Sequence, residues 1–591
     1  MKLYLISDYC RIDGETADFA EKEFRGDFTK CDAEISLFSA RNQMVSFQLV
    51  AEMENGETLT DFDLSFTPLT GPTGSIPADY EVFIEWFHRI EGAFLPDMLL
   101  PYGKCSLDFR VPLEPEYHAG QKAGALWIDL FVPEAARKGR YEGTLRVRAN
   151  QTEKEFAIRL KVYSCMVPYE SRIIADLNNY ADNISPSYPS LAQNPDRYRD
   201  GSYLAVERQF FTMAREHRCL FQNLNYLHSG KPVESFAPDL TGSGKTIRVK
   251  DWTLFDEHFG PYLDGSAFKG SRRGAMPVEF MFTPFNLGWP ASLSKWGEKG
   301  FKTEYRRILW EFTRHFEEKG WTSTNMEIMF NHKKEYRFLP STQDEIWYEH
   351  DEEILDYMAD VMRDITPHSS AKFVFRADSS NHYGDHSEKY ADLFQMWVSA
   401  MTMYAWYPER VQIAKNHGSI LWIYGWYGEG MTIDLPLNAF LTQPMICFMT
   451  GATGFCSFWN AVGWGDSYKK TPFVNAGQSL FYPGFEFGAG DVLPSLRMKV
   501  LRNQMQLADL MMTTDGLDVE AFDYQRRDLE QAVNECFGYA DNSAWWKENP
   551  PFADTPPRYW KYGEEVTLNH YKGRSPKIID DLRRRVYRRL G

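Results

Sequence analysis

Thiol chemistry, long apolar runs and positive charge are all scarce in this sequence. Its 591 residues hold eight cysteines (Cys10, Cys31, Cys105, Cys165, Cys219, Cys447, Cys456 and Cys536), none in CxxC spacing. That excludes a small disulfide-built scaffold and a thiolate metal centre, and the thiols are expected to be reduced. No run of about 18 apolar residues occurs. The richest stretch, Leu435 to Trp459, is broken by Asn438, Gln443, Pro444, Gly451 and Gly454, so no membrane span is expected. Lys and Arg number 65 against 82 Asp and Glu, a net charge of −17, and no basic run offsets it. Such a surface repels phosphate backbones and argues against nucleic acid as a partner. Internal repeats and low-complexity tracts are absent as well. The apolar run at Met1 to Ser7 is too short for a signal peptide and Asp8 follows at once, so the chain as written is expected to be cytoplasmic. Nothing in the sequence sets an oligomeric state.

Aromatic residues, by contrast, are plentiful: 17 Trp, 32 Tyr and 42 Phe make 15% of the chain. A large core absorbs many of these, and Trp and Tyr faces also suit the C–H faces of sugar rings. Composition alone leaves both roles open.

Up to about residue 165 the apolar pattern has period two, as in Ala33–Phe38, Met44–Val50 and Gly143–Ala149, with turn signals at Glu54-Asn55-Gly56 and Lys138-Gly139-Arg140. Short strands without a long helical pattern predict a β-sandwich over 1–167. Beyond Val167-Pro168 strands alternate with amphipathic helices. The strand stretches are Arg172–Asn178, Leu220–Asn225, Val278–Phe282, Met326–Phe330, Lys372–Arg376, Gln395–Val398, Ile420–Tyr424 and Gly454–Trp459. Helices are predicted at Tyr203–Arg218, Tyr305–Lys319, Asp351–Ile365, Tyr407–Asn416 and Leu437–Met449, and a further one at Leu496–Met512. Eight strands over about 290 residues match a (β/α)8 barrel, assigned to 168–512. The fold class is therefore α/β with an all-β N-terminal domain. A doubly wound sheet is disfavoured because no Gly-rich phosphate turn follows the first strand. Residues 513–591 read as a mixed extension, with a Trp- and Pro-rich packed loop at Asn542–Pro557. It ends in a helix, Pro576–Leu590, whose arginines suit a helix C-terminus.

Two motifs dissolve on inspection. Thr241-Gly242-Ser243-Gly244-Lys245-Thr246 imitates a P-loop, but Asp239 stands where its first glycine belongs, so a surface turn is expected. Gly477-Gln478-Ser479-Leu480-Phe481 lacks the closing glycine of a nucleophile elbow. His382 and His386, with Asp378 upstream, have HxxxH spacing, but Asn381 and Gly384 make the segment a loop without preset metal geometry. Surface or substrate-facing roles fit them better than metal ligation.

The chemistry concentrates after the fourth strand, where a loop from Asn331-His332-Lys333-Lys334-Glu335 delivers Asp344-Glu345-Ile346-Trp347-Tyr348. Adjacent carboxylates in a loop are usually solvated. Position speaks for these, because loops at the C-terminal ends of barrel strands host the active site. Nearby aromatic rings raise a carboxyl pKa, which suits a general acid.

Several separated motifs resemble glycoside hydrolase family 123. They are Leu95-Pro96-Asp97, then Leu126-Trp127-Ile128-Asp129-Leu130-Phe131-Val132-Pro133, then Gly139-Arg140-Tyr141-Glu142-Gly143-Thr144-Leu145. Further along come Gly454-Phe455-Cys456-Ser457-Phe458-Trp459-Asn460, Phe481-Tyr482-Pro483-Gly484 and Ser495-Leu496-Arg497-Met498-Lys499 with Leu501-Arg502. The resemblance spans roughly residues 30 to 510. It implies an exo-β-N-acetylgalactosaminidase working by substrate assistance on glycans ending in β-GalNAc, such as those of glycosphingolipids. The family's catalytic pair falls on Asp344, which orients the acetamido group, and Glu345, the acid/base; Ile346 follows where related sequences often carry Pro, and Glu335 is the alternative acid. The sugar is expected on Trp459, with Trp397 and Trp426 as further platforms at strand ends. Asn225, Asp378, His382 and Tyr404 are candidates for its hydroxyls. No metal or organic cofactor is called for. A non-catalytic carbohydrate-binding relative, or a glycosidase for a sugar without the acetamido group, are the alternatives.

Overall fold

The computed structural model describes all residues except 55, 91, 181–182, 225–235, 286–288, 292–297, 299, 330–355, 358–361, 364–368, 380–385, 401–403, 405–407, 425–431, 459–460, 465–467, 470–478, 514–518, 539–570 and 572. Eleven strands build the N-terminal part: β1 (Lys2–Ser7), β2 (Glu34–Arg41), β3 (Gln43–Glu52), β4 (Phe62–Phe66), β5 (Leu69–Gly71), β6 (Gly74–Ile76), β7 (Tyr80–Ile90), β8 (Ala93–Pro101), β9 (Ala123–Val132), β10 (Gly139–Ala149) and β11 (Thr152–Met166). They form a five-stranded sheet in the order β1-β3-β9-β7-β8 and a six-stranded sheet, β2-β11-β10-β5-β6 with β4 on β10. The expected sandwich is present.

The two sheets bury different numbers of faces, and the sequence shows why. β10 alternates, with Tyr141, Leu145 and Val147 buried and Glu142, Arg146 and Arg148 exposed, because its outer face meets water. β9 is apolar almost throughout and buried on both faces. Leu126, Ile128 and Leu130 enter the sandwich core, while Trp127 joins the core of the following domain.

That second core belongs to eight parallel strands: β12 (Ile174–Asn179), β13 (Cys219–Asn223), β16 (Phe280–Phe282), β17 (Asn325–Ile328), β18 (Lys372–Ser379), β19 (Met396–Ala400), β20 (Ile420–Tyr424) and β21 (Gly454–Phe458). A two-residue ribbon, β14 (Leu240–Thr241) and β15 (Arg248–Val249), intervenes, and Gly244–Thr246 is a 3-10 turn, as expected of the P-loop mimic. Among the described residues the order β13-β12-β21-β20-β19-β18-β17-β16 makes a nearly closed barrel, without a ladder between β13 and β16. Every expected barrel strand overlaps an observed one. Helices Ser202–Glu216, Thr253–Leu263, Phe301–Lys319, Pro408–Asn416 and Thr442–Thr450 lie between them. The single helix expected over Leu437–Met449 is instead a 3-10 turn, Leu437–Leu441, followed by an α-helix from Thr442. Pro444 explains the break, since its ring clashes with the carbonyl four residues back. The helix expected over Asp351–Ile365 and the loop Asn542–Pro557 lie mostly or wholly outside the described residues. Among the described residues no helix is long and apolar enough to cross a membrane.

Helix Leu496–Met511 joins the two parts and has no solvent face; all its residues are buried. Its ionic side chains must therefore find partners inside the protein. Arg502 grips Asp129 of β9 at 2.7 and 2.8 Å, and Lys499 reaches the same carboxylate at 2.9 Å. Ser46 and the Trp127 indole donate to it as well, at 2.6 and 2.8 Å. Burial alone pushes the Asp129 carboxyl up, but Arg502 and Lys499 override it and hold it far below the usual carboxylate range. Arg497 likewise grips Asp97 of β8 at 2.8 and 2.9 Å, where the Tyr482 hydroxyl also donates at 2.6 Å. Near the far end of the helix, Asp509 accepts Arg218 at 2.8 Å and the Arg172 backbone N–H at 2.6 Å, tying down the start of the barrel. The last helix, Ile578–Leu590, returns to the sandwich: Tyr587 packs edge-on against Phe38, and Arg583 pairs with Asp8 at 2.9 Å. One of its arginines thus serves a buried carboxylate, while Arg588 and Arg589 occupy the last turn as expected.

Two strong tests follow from this interface. Asp129→Ala leaves Arg502 and Lys499 buried without their carboxylate and should lower unfolding free energy by about 3–5 kcal/mol. A chemical-denaturation midpoint unchanged from wild type would contradict that. Glu85, on the barrel-facing side of β7, has neither carboxylate oxygen bonded, and burial pushes its pKa up to about 8 against a pull from Arg11. A folded pKa raised from 4.5 means the native state holds the proton more tightly, so this stability is full below about pH 4.5 and lost as pH rises to about 8. On the acid side, burial drives His88 down to about 3 and His118 to about 4, so stability also falls as pH drops below 6.5. Glu85→Gln should flatten the alkaline limb of a melting-temperature-versus-pH curve, removing up to about 1.4 kcal/mol per pH unit, and leave the acid limb intact. Parallel curves for the two proteins would refute this assignment.

Candidate active site

Register decides which side chains enter the barrel. Glu327 of β17 pairs with Val374 of β18, and Arg376 follows on the same face. Arg376 pairs in turn with Met396, and Asp378 with Val398. The interior is floored by Trp422, whose indole meets Phe280 edge-on at 4.7 Å from across the barrel. Gly454 is glycine for that reason: a Cβ there would stand 2.5 Å from the Trp422 Nε1.

Above the indole layer the interior turns polar. Arg376, fully buried, donates from Nη1 to Glu327 at 2.7 Å and from Nε and Nη2 to Asp378 at 2.7 and 3.2 Å. Burial draws the guanidinium down, but Asp378 and Glu327 outweigh it and keep it charged. Gln222 of β13 bridges the barrel, donating to Glu327 at 3.0 Å and to Asp176 of β12 at 3.2 Å. Burial, with Glu327 nearby, pushes the Asp176 carboxyl well up against the pull of Arg376.

The donors and acceptors of this layer are not all used. Asp176 Oδ2, Gln222 Oε1, and both the Oδ1 and Nδ2 of Asn178 are buried without a hydrogen-bond partner. Asn178 lies two residues beyond Asp176, on the same face and one residue before the C-terminal end of β12, and is 0% exposed. Each such buried group costs about 1–3 kcal/mol if nothing bonds it. Four of them on two adjacent strands, at the end of the barrel where loops assemble active sites, mark a place built for polar ligand atoms.

The residues expected from sequence distribute unevenly over this site. Asp378 belongs to it, though clamped by Arg376. Trp397 does not: it pairs with Ala377 and so faces away from the barrel interior, 1% exposed and packed edge-on against Phe394 at 5.0 Å. The alternation of β19 sends Met396 and Val398 inward and leaves the indole to the helix layer. Tyr404 is buried and donates its hydroxyl to the Trp422 carbonyl at 3.0 Å, a bond that ties the chain to β20. Asp344, Glu345, Glu335, Asn225, His382, Trp426 and Trp459 lie outside the described residues. Among the described residues no three His, Cys, Asp or Glu side chains converge to hold a metal ion. Asp176, Asn178, Gln222, Glu327 and Arg376 were missed from sequence. Their only signal was polarity at inward positions of strands, in Asp176-Leu177-Asn178 and Met326-Glu327-Ile328, which identifies nothing until the strands are assigned a face.

No family model matches the sequence, and no curated protein matches it. Among solved structures, the fold is shared with a family 123 glycoside hydrolase from Clostridium perfringens, described for glycolipid glycan hydrolysis. The match covers 100% of this chain and 97% of that one with a TM-score of 0.63 at 12% identity. A termite-gut GH10 xylanase containing a bacterial Ig-like domain covers 81% of this chain and 100% of its own at 9% identity, with a TM-score of only 0.31. A Bacteroides uniformis β-glucuronidase covers 75% and 47% at 9% identity, with a TM-score of 0.29.

Asn178→Leu tests whether the unbonded amide serves ligand rather than fold. Leucine keeps the branched heavy-atom skeleton of asparagine and removes two unsatisfied groups, so the melting temperature should hold or rise by a few degrees. Ligand binding in the barrel should weaken in the same variant. A clear loss of stability would show that Asn178 is structural.

Proposed function

We propose that this protein is a retaining exo-β-N-acetylgalactosaminidase that acts by substrate assistance. The observation that carries the proposal is the whole-length correspondence, sandwich through tail, with an enzyme of glycolipid glycan hydrolysis. The family 123 motifs in the sequence support it, and so does a polar layer with unbonded hydrogen-bonding atoms inside the barrel.

Most retaining glycosidases set two carboxyl groups about 5–5.5 Å apart, one of them a nucleophile. Asp344 and Glu345, adjacent in sequence, are poorly suited to flanking both faces of a sugar, and substrate assistance removes that need. In this mechanism the 2-acetamido carbonyl oxygen attacks the anomeric carbon as the glycosidic C–O bond breaks. Glu345 delivers its proton to the departing oxygen. Asp344 accepts a hydrogen bond from the acetamido N–H and offsets the positive charge of the resulting oxazolinium. Water then attacks the anomeric carbon from the face the leaving group vacated, giving its proton to Glu345 and restoring the acetamide with net retention. The unbonded atoms of Asn178, Asp176 and Gln222 are available to the ring hydroxyls, while Arg376 holds Asp378 and Glu327 in place. Glu327 sits on β17, the last described strand before Asp344 and Glu345 in the sequence, and its ion pair with Arg376 fixes that strand in the barrel.

The test is a chromogenic β-GalNAc glycoside beside its β-galactoside, which lacks the acetamido group. Turnover should require the acetamide, survive chelation, and be inhibited by a thiazoline mimic of the oxazoline. Glu345→Gln should lose ~10²–10⁴-fold on substrates with poor leaving groups and less on activated aryl glycosides. Faster cleavage of the β-galactoside, or a covalent glycosyl ester trapped on Asp344, would overturn the mechanism.

A further inference from the structure

Among the described residues the barrel wall lacks a ladder between β13 and β16, and this gap is not empty of chemistry. Where β13 and β16 lack a ladder, a cavity of about 60 Å³ is lined both by Gln222 and Phe282, which face the barrel interior, and by Phe221, Asn223 and Met281, which face the helices. Residues from both faces of the sheet line the same space, so the cavity passes through the wall beside the polar layer. Its volume would hold about four waters, or the edge and one hydroxylated arm of a sugar ring.

The outer half is walled by aromatic rings, among them Tyr198, Phe236, Phe259 and Tyr262. Within them sits a buried polar set contributed by two helices and β13. Glu207 of Ser202–Glu216 accepts from His258 Nε2 at 2.6 Å, from the Tyr262 hydroxyl at 3.1 Å and from Asn223 Nδ2 at 2.6 Å. Burial pushes the Glu207 carboxyl up, but His258 and these donors prevail and hold it low, so it is ionised. His258 is 4% exposed and stands between Phe236, edge-on at 3.8 Å, and Phe259, stacked at 4.3 Å. Its Nε2–H is taken by Glu207, while its Nδ1 is buried with no partner. That leaves one ring nitrogen to bond a hydroxyl at the cavity, and a hydroxyl can either donate to it or accept from it. Nothing in the interface network of the two cores requires it.

We infer that this gap is a second sugar-contacting site, which takes the neutral sugar next to the terminal one. The inference rests on the glycan-hydrolase proposal and extends it to the leaving side of the substrate. Aromatic faces suit the C–H surface of a pyranose, and the unbonded imidazole nitrogen suits one of its hydroxyls. The ionised Glu207 disfavours sulfated, phosphorylated or carboxylated sugars in the same space.

The experiment compares Tyr198→Ala and His258→Phe with wild type on two substrates and one binding assay. The substrates are methyl β-N-acetylgalactosaminide, which has no second sugar, and a neutral disaccharide with terminal β-GalNAc. Both variants should raise KM for the disaccharide by about tenfold and leave the methyl glycoside within about twofold of wild type, with kcat unchanged on both. Saturation-transfer NMR with a neutral disaccharide and its sulfated counterpart should show contact for the neutral one alone, lost in Tyr198→Ala. Equal effects on both substrates, or no effect on either, would overturn the second site while leaving the hydrolase proposal standing. If wild type cleaves no glycoside but Tyr198→Ala still abolishes disaccharide contact, the site stands and the hydrolase proposal falls. Absence of disaccharide contact with wild type, with no variant difference in turnover, would sink the second site.

Discussion

A carboxylate without access to water must be surrounded by donors, and the architecture of this protein is organised around one that is. Asp129 lies on the strand shared between the sandwich core and the barrel-side core, and it receives Arg502, Lys499, Ser46 and Trp127 at once. The helix that carries Arg502 and Lys499 has no exposed residue, so neither cation could be paired elsewhere. Sandwich, helix and barrel are consequently parts of one folding problem: separate them and Asp97, Asp129 and Asp509 would face Arg497, Arg502, Lys499 and Arg218 no longer. Ion pairs buried this deeply gain little over an apolar core of equal volume. What they provide is register, since only one placement of the helix on the sheet brings every charge to its partner.

The barrel interior obeys the opposite logic. There Arg376, Glu327 and Asp378 are mutually bonded, while Asp176, Asn178 and Gln222 keep atoms in reserve. At the interface the Asp97, Asp129 and Asp509 carboxylates are all gripped by cations, whereas on the β12–β13 side of the barrel Asp176, Asn178 and Gln222 keep unbonded atoms. An unsatisfied polar group in a native protein is a departure from local consistency that a ligand can explain. The same contrast holds at the gap between β13 and β16, where the Glu207 oxygens are bonded and the His258 Nδ1 is not.

Most of the fold was legible in the residues. The period-two stretches became sandwich strands, and the eight apolar stretches after Pro168 became eight parallel barrel strands, because strand burial prints its periodicity directly on the chain. The motifs that carry the family resemblance proved legible for a reason other than catalysis. Leu95-Pro96-Asp97, Trp127-Ile128-Asp129, Tyr482 and Arg497-Met498-Lys499 with Leu501-Arg502 are the two halves of the interface network. Among the described residues they serve packing. The polar layer of the barrel was not legible, because Asp176, Asn178 and Glu327 sit in short strands whose inward face shows only once neighbours are paired. Trp397 illustrates the same limit: its position at a strand end was apparent, but whether an indole points to the mouth or to the helices depends on a register of one residue.

The sequence by itself determined the element order, the class of fold and the acidic, aromatic-rich character of the surface and core, since these follow from composition and local periodicity. It also determined that Gly244-Lys245-Thr246 could not cradle a phosphate, a matter of local geometry, whereas the break before Pro444, in a stretch read as one helix, emerged only from the structure. Only the tertiary structure decided which polar residues share a space. Asp176, Gln222, Glu327 and Arg376 span two hundred residues of chain, and no local pattern relates them. They meet because closing the sheet into a barrel sets the adjacent pair β12–β13 across the interior from the adjacent pair β17–β18, and a low-dielectric interior then makes every bond among them, and every bond left unmade, energetically consequential.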